Sequence, residues 1–263
     1  MLVILLSAKM FNYKASSSFA TLIHLSEEPK KVKIPTDNYY NSLSFADENI
    51  PVGDSRIKAK MKKALKEHSH SQLQTSKLHS QASKWFPVIE PILAKYGIPE
   101  DFKYMPLVES GLKGGVSPKG ATGYWQFMPG TARGFGLRVN SEVDERNNIR
   151  KSTVAAAKYL KSLYRIFDSW TLAAAAYNIG EGGLRRQINR QNQDNYFKMK
   201  LNRETASYVY KLISMKEIIE NPARYGYTSK ASKLLAKADT KKKPAFMFSI
   251  AKGKPLGDEK LRL

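Results

Sequence analysis

The chain has 263 residues, a formal net charge of +21, and 42% hydrophobic and 25% charged residues, which is typical of a globular protein with a sizeable core. Its lack of cysteine excludes disulfides, thiolate nucleophiles and cysteine-ligated metal sites. The charge predicts attraction to a polyanion, with nucleic acid, anionic lipid and acidic cell-wall polymer as candidates. His68, His70 and His79 lie in a polar segment, so we expect them to be exposed, and we expect no metal and no cofactor.

Residues 1–20 begin with the apolar run 2–6, which is too short to span a bilayer, since that requires about 20 apolar residues. The small residues within 15–20 suit a cleavage site, but the basic residues that normally precede the apolar run of an export signal are missing. The segment is therefore either an export signal or a disordered leader. Residues 21–55 mix Ser, Asn, Asp, Pro and charges without a sustained hydrophobic period, which predicts a disordered linker.

Residues 56–97 are predicted to form a helical extension. An apolar residue recurs every four positions in a Lys-rich background, at Ile57, Met61 and Leu65. This spacing predicts a surface helix with one apolar stripe, whose basic side is either solvated or an arm that contacts substrate. A second apolar cluster follows and ends at Gly97, where glycine suits a helix C-terminus.

The next segment, 98–227, has helix signals on both sides of a glycine-rich stretch. A proline and two acids at 99–101 are typical of a helix start, and Pro106 should kink or loosen the backbone just before Glu109. Eight glycines between residues 111 and 136 predict a loop-rich segment with short helical turns. Helical periods follow and alternating strand patterns are absent, so we predict an all-α fold.

The C-terminal segment, residues 228–263, has ten Lys/Arg and three acids, which predicts a mobile basic tail. The tail is either a solvated extension or an anchor to an anionic membrane or wall polymer.

Glu109 is the residue most suited to chemistry, because it ends an apolar helix behind Leu107 and Val108. An apolar setting disfavours the charged carboxylate and raises its pKa from about 4.3 toward about 6 or 7, where the group can donate a proton at neutral pH. The octapeptide alone, however, is also typical of a helix end at the surface.

Four segments occur in one order: 104–111 (YMPLVESG), 120–132 (GATGYWQFMPGTA), 176–183 (AYNIGEGG) and 204–209 (ETASYV). Together they resemble the lytic transglycosylase domain that the soluble transglycosylases and goose-type lysozymes share. The resemblance covers about residues 98–227. It implies an all-α, lysozyme-like domain that cleaves the β-1,4 bond between N-acetylmuramic acid and N-acetylglucosamine in peptidoglycan glycan strands, without water.

In this family resemblance, Glu109 acts as the single acid and base. It would protonate the glycosidic oxygen and then accept the proton of the muramic acid C6 hydroxyl, which closes a 1,6-anhydro ring. One carboxyl suffices because an internal hydroxyl replaces both the activated water and the covalent ester of ordinary glycosidases.

The resemblance also implies roles for neighbouring positions. Gln126 would bind an acetamido group, and Tyr177 with Asn178 would line the cleavage subsite. Ser110 would orient the substrate or the carboxylate, or is a plain helix-end hydroxyl. We expect Trp125 and Met128, which lie in the same segment as Gln126, to be core residues that shape the groove.

Two positions near the end of the domain would support the acid. Tyr208 would hydrogen-bond Glu109, and Glu204 would support its helix or face the peptide stem. The sequence departs from the family pattern at residues 112–114, Leu-Lys-Gly, which leaves the shape of the loop beside Glu109 and the substrate preference open.

Two alternatives remain. A goose-type hydrolase would need a carboxylate to place water, for which Asp144 and Glu145 are candidates, although their pattern is more typical of a helix cap. A non-catalytic, cationic peptidoglycan-binding protein would fit the charge. Nucleic-acid binding has no motif to support it. We expect an exported monomer in the cell envelope, in the periplasm or associated with the membrane.

Overall fold

The computed structural model describes residues 37–73 and 76–230, and the regular structure in this part of the chain is helical except for one short hairpin. Its α-helices are α1 (Asp37–Asn41), α2 (Ser55–His68), α3 (His70–Leu73), α4 (Lys77–Lys95), α5 (Met105–Ser110), α6 (Pro129–Gly134), α7 (Ile149–Phe167), α8 (Trp170–Ile179), α9 (Glu181–Gln191) and α10 (Thr205–Glu220). Three 3-10 helices span Glu100–Tyr104, Glu145–Asn147 and Pro222–Tyr225. The strands β1 (Ser44–Phe45) and β2 (Glu48–Asn49) form one short antiparallel hairpin. The prediction of an all-α fold is confirmed.

Helix α10 lies at the centre of the packing and contacts α2, α4, α5 and α8. Its apolar residues are buried on nearly all sides, as expected of a central helix. The stripe predicted for α2 is buried as well, at Ile57, Met61 and Leu65. Helices α2 and α4, predicted as an extension, therefore share the core of the segment that follows them.

The predicted linker is partly folded. Within residues 37–55, the ring of Phe45 packs 5.0 Å from that of Phe102, and the backbone N–H of Ala46 donates to the carboxylate of Asp101 at 2.7 Å. The prediction of disorder is therefore wrong for residues 37–55, because their few apolar side chains are buried by contacts remote in sequence rather than by a local period. The predictions for residues 1–36 and 231–263, which include the leader and nearly all of the tail, lie outside the described residues.

Glu48 of the hairpin caps helix α8. Its carboxylate accepts hydrogen bonds from the backbone N–H groups of Trp170 and Thr171 and from the hydroxyl of Ser169. These N–H groups have no partner inside the helix, and the positive end of the helix dipole favours a negative charge there. The N-terminal segment is thus joined to the start of α8 by a charge-assisted contact.

We expect Glu48→Ala to lower the free energy of unfolding by about 2 kcal/mol, because several hydrogen bonds to one carboxylate are lost. Chemical denaturation measures this change. Asn49→Ala, at the exposed neighbouring position, should change stability by less than about 0.5 kcal/mol. Equal effects of the two substitutions would contradict the capping role.

The histidines differ from the prediction. His79 is fully buried, with Nε2 3.0 Å from the carbonyl oxygen of Ile218, and the ring of His68 contacts the hydroxyl of Ser214. Burial lowers the pKa of both, that of His68 to about 4, so both are neutral at pH 7. The prediction of exposure is wrong for His68 and His79 because these two positions face α10, whereas Ser71 and Lys77 between them are exposed.

Within the described residues, none of the helices combines the length and the apolar character needed to cross a membrane.

Candidate active site

Glu109 stands in the last turn of the short helix α5. The 3-10 helix before it changes to α-helix between Tyr104 and Met105, and Pro106 occupies the first turn of α5, where a missing N–H costs nothing. Gly111, at φ 62°, ends the helix in the left-handed conformation. The loosening predicted at Pro106 therefore takes the form of a change of helix type, and Glu109 is carried by a short rigid element.

The carboxyl of Glu109 is held by Tyr208, whose hydroxyl donates a hydrogen bond to Oε1. Burial raises the pKa of Glu109 to about 7, and the nearby charge of Glu204 acts in the same direction. The hydrogen bond from Tyr208 and the positive charge of Lys211 oppose the rise. Near neutral pH the group is divided between its acid and its base form, so it can both give and take a proton.

Tyr208 and Lys211 lie one turn apart on α10 and approach the carboxyl from the same side. Tyr208 is buried, and Lys211 is half-buried. The role of Tyr208 was expected from the sequence, whereas Lys211 was missed. The i, i+3 spacing from Tyr208 is the signal that could have found it.

Tyr177 links helix α8 to the glycine-rich loop. Its hydroxyl donates to the backbone oxygen of Trp125 at 2.8 Å, and its ring lies 5.2 Å from that of Tyr159 and 5.8 Å from that of Phe127. Burial is the main reason that the pKa of Tyr177 is raised, and the charge of Glu109 acts in the same direction. Tyr177 is therefore an uncharged residue that lines the site, and its hydroxyl is already hydrogen-bonded to the loop.

Asn178 and Glu204 join the end of α8 to the start of α10. The amide of Asn178 donates to Oε1 of Glu204 at 3.2 Å, and its oxygen accepts from the hydroxyl of Thr205 at 2.8 Å. Thr205 is buried, while Glu204 is exposed. The two predicted residues thus form one polar pair, with the Glu204 carboxylate facing solvent beside Glu109.

Gln126 shapes the loop on which it lies. It adopts a left-handed backbone at φ 48°, and Nε2 donates to the oxygens of Gly123 and Gly115 at 2.8 Å and 3.2 Å. An amide nitrogen has two hydrogens, so both are used inside the loop. Only the carbonyl oxygen Oε1 of the side chain can then accept a hydrogen bond from a ligand.

The loop is built around Arg146. Its guanidinium donates to the backbone oxygens of Gly120 and Phe127, each at 3.0 Å. A Cβ on Gly123, at φ +83°, would lie 2.0 Å from the backbone oxygen of Arg146, so no other residue fits there. The stretch from 120 to 127 is therefore a clamped turn, although its sequence predicts only a loop.

Asp144 and Glu145 are fully engaged in this support. Asp144 pairs with Arg146 and caps the 3-10 helix that follows, while Glu145 binds Arg138 and Lys151 at 2.8 Å and 2.6 Å. These contacts lower the pKa of both carboxyls, that of Glu145 to about 2. Such groups are poor bases, which favours the capping interpretation over placement of water.

Ser110 ties helix α5 to the loop. Its hydroxyl lies 2.9 Å from the backbone oxygen of Tyr124 and 3.1 Å from that of Pro106, and donates to them. Trp125 is fully buried as expected, but Met128 is 45% exposed, so the prediction of a core position for Met128 is wrong. Met128 precedes α6 in an extended conformation that directs its side chain outward.

The residues predicted for the site fall into two connected groups. Tyr208 is hydrogen-bonded to Glu109, Glu204 and Tyr177 interact with it electrostatically, and Asn178 joins this group through its hydrogen bond to Glu204. Ser110 and Gln126 belong to the adjoining loop, to which Tyr177 is bonded. Among the described residues, no group of three or more His, Asp or Glu could hold a metal ion.

The family profile described as "Transglycosylase SLT domain" matches residues 87–200. Over 200 residues, 72% of its length, the chain is 32% identical to the membrane-bound lytic murein transglycosylase D of Escherichia coli (strain K12), and equally to that of E. coli O6:H1. The chain spans 42% of the length of these relatives.

A third relative, from Alteromonas sp. (strain M-1), has a name that refers to tributyltin chloride resistance. It is 32% identical over 148 residues, which are 54% of this chain and 72% of that protein. The family match runs from within α4 to residue 200, and so includes Glu109, the clamped loop and the end of α8. The family profile, the similar relatives and the lysozyme-like, all-α architecture agree. The chain therefore belongs to the lytic transglycosylase family with the SLT domain.

Proposed function

We propose that the protein is a peptidoglycan lytic transglycosylase of the cell envelope, with Glu109 as its single acid and base. The observation that carries the proposal is the Glu109 carboxyl, whose pKa is raised to about 7 and which Tyr208 holds in place. A general acid or base works best when its pKa lies near the working pH. The curated relatives from Escherichia coli are named as lytic murein transglycosylases, which supports peptidoglycan as the substrate.

The proposed reaction needs one proton and no water. Protonated Glu109 gives its proton to the glycosidic oxygen as the bond from that oxygen to the muramic acid C1 breaks. The C6 hydroxyl of the same sugar then bonds to C1, and its proton returns to the Glu109 carboxylate. The products are an N-acetylglucosamine hydroxyl end and a 1,6-anhydro ring, and the enzyme regains its starting state.

The neighbours of Glu109 suit this cycle. The Tyr208 hydroxyl stabilises the carboxylate after it has lost its proton, and the charge of Glu204 favours the protonated form before the reaction. Gln126 can accept a hydrogen bond from an acetamido N–H through Oε1, because Nε2 is occupied. We infer that Tyr177, Asn178 and Ser110 act on the substrate mainly by fixing the walls of the groove.

A hydrolase on the same fold is the rival function. It would require a second carboxylate to activate water. Asp144 and Glu145 are bound in ion pairs, and Glu204 is bonded to Asn178. The ion pairs of Asp144 and Glu145 favour the intramolecular hydroxyl over water activated by either of these two groups.

Product analysis tests the proposal. Purified sacculi are incubated with the protein, and the released fragments are measured by mass spectrometry. We expect fragments with 1,6-anhydromuramic ends, lighter by one water than fragments with reducing ends. Reducing ends would establish a hydrolase instead, and binding to sacculi without any release would establish a binding protein.

We expect Tyr208→Phe to reduce turnover by about 10- to 100-fold, because the carboxyl loses its positioning contact. The alkaline limb of the pH–rate profile should also move upward, since the lost hydrogen bond lowers the pKa of Glu109 in the wild type. Tyr210→Phe is the matched control, because the buried hydroxyl of Tyr210 has no partner among the described residues. An unmoved profile in Tyr208→Phe would contradict the positioning role.

A further inference from the structure

Helix α2 has two sides of opposite character. Its inner side is buried in the core through Ile57, Met61, Ala64 and Leu65. Its outer side exposes Arg56, Lys60, Lys62, Lys63 and Lys66. At about 100° per residue these two sets fall on opposite faces of the helix. With Lys58, the helix has six basic residues and one acid, Glu67, so its net charge is +5.

Carboxylates of the molecule neutralise only part of this outer face: Arg56 forms an ion pair with Asp54 at 3.0 Å. Lys63 lies 3.8 Å from Glu67, with both side chains more than half exposed, and such a pair contributes little. Lys60 and Lys62 lie over the rings of Tyr210 and Tyr40, at 5.9 Å and 5.4 Å from their centroids, rather than beside carboxylates. The outer face therefore keeps a net positive charge that can attract an external anion.

The long helix α7 is also basic, but its charges are partly engaged. Lys151 binds Glu145 at 2.6 Å, and the ammonium of Lys161 donates to the backbone oxygen of Tyr96 at 3.2 Å. Helix α2 carries six basic residues within positions 56–66, whereas α7 carries five within positions 150–165, so α2 is the more densely charged of the two.

The outer face of α2 lies away from the proposed active site. α2 packs on the side of α10 that bears Tyr210, beneath Lys60, and Ser214, beside His68. Tyr208 points from a different side of α10 toward Glu109, since residues 208 and 210 are about 200° apart on a helix. A flat partner on the outer face of α2 would therefore approach the molecule from a different side of α10 than the one that bears Tyr208.

We propose that the basic face of α2 docks the protein onto an anionic phospholipid bilayer. Four to eight Lys/Arg on an amphipathic helix are typical of binding to acidic headgroups. The residues from Arg56 to Lys66 extend over about 15 Å and carry charge without exposed aromatic or amide groups that would recognise a sugar. A dense plane of headgroups matches such a surface better than a glycan does.

The contact is electrostatic and does not insert into the bilayer, because the apolar side of α2 is buried in the core. It is therefore sensitive to salt, which screens exposed charges over about 8 Å at physiological ionic strength. This property separates it from anchoring by an inserted apolar segment.

The test is cosedimentation of the full chain with vesicles of phosphatidylcholine, with and without phosphatidylglycerol. We expect binding only to vesicles that contain phosphatidylglycerol, and loss of that binding at about 1 M salt. The variant K60Q/K62Q/K63Q/K66Q should bind at least about 100-fold more weakly, since each lysine near an anionic surface contributes about fivefold. Glutamine keeps the helix propensity of lysine, so α2 should still form.

The matched control is K119Q/K158Q/R165Q/K198Q, which removes the same charge from exposed positions elsewhere. It should keep most of the binding, and both variants should keep wild-type unfolding curves and release of fragments from sacculi. Equal losses in the two variants would overturn the proposal in favour of net charge or the basic tail. The proposal would also be overturned if the wild type bound vesicles equally well without phosphatidylglycerol. The same holds if the α2 variant lost binding to soluble poly-glutamate but kept its binding to vesicles.

Discussion

Glu109→Gln should abolish fragment release from sacculi while leaving binding to them intact. The amide can neither donate a proton to the glycosidic oxygen nor accept one from the C6 hydroxyl, so both halves of the proposed cycle fail. General acid or base catalysis is worth about 10²- to 10⁴-fold per role, and we therefore expect turnover to fall by at least about 10³-fold. Quantifying anhydro-ended fragments over time measures the loss.

Glu142→Gln is the matched control for charge, because Glu142 is exposed and distant in sequence from the site motifs. It should release fragments at the wild-type rate. A sedimentation assay with sacculi shows whether Glu109→Gln still binds. Residual activity within about tenfold of the wild type would mean that another group supplies the proton.

Glu109→Gln should also stabilise the fold. Burial raises the pKa of Glu109 from 4.5 to about 7, so the folded state binds a proton that the unfolded state has released between these values. The contribution of Glu109 to stability is therefore full below about pH 4.5, falls as pH rises, and reaches its lowest value above about pH 7. At about 1.4 kcal/mol for each pH unit, this amounts to at most about 3 kcal/mol.

Glu109→Gln removes this penalty, so its free energy of unfolding should exceed that of the wild type by about 1 to 3 kcal/mol at pH 8 and by much less at pH 4.5. Guanidinium denaturation at the two pH values measures the difference. Glu142→Gln should show no such pH-dependent gain. A gain independent of pH would indicate that improved packing, rather than the raised pKa, is responsible.

Much of this architecture was predictable because local patterns report burial well when they are periodic. The stripe of α2 and the apolar run before Glu109 are of this kind, and in both helices these apolar residues are confirmed to face the core. The four motifs also led to Tyr208, which does contact Glu109. That contact joins residues 99 positions apart, and only the family resemblance could supply it.

What escaped prediction depends on long-range contacts. Residues 37–55 have few apolar side chains and no period, yet Phe45 is buried against Phe102. His79 has a polar neighbourhood in sequence but a buried one in space. Met128, in contrast, was expected inside because of its side chain alone, whereas its backbone directs it to solvent.

The contact of Glu48 with the start of α8 bears on how the protein can be shortened without loss of its fold. Tyr177 and Asn178 stand at the opposite end of that helix, about 10 Å from the capped N–H groups. A fragment cut at the family match would lose the hairpin, and it would also stop before Tyr208. Expression of residues 87–200 alone would therefore leave the start of α8 without Glu48 and the Glu109 carboxyl without Tyr208.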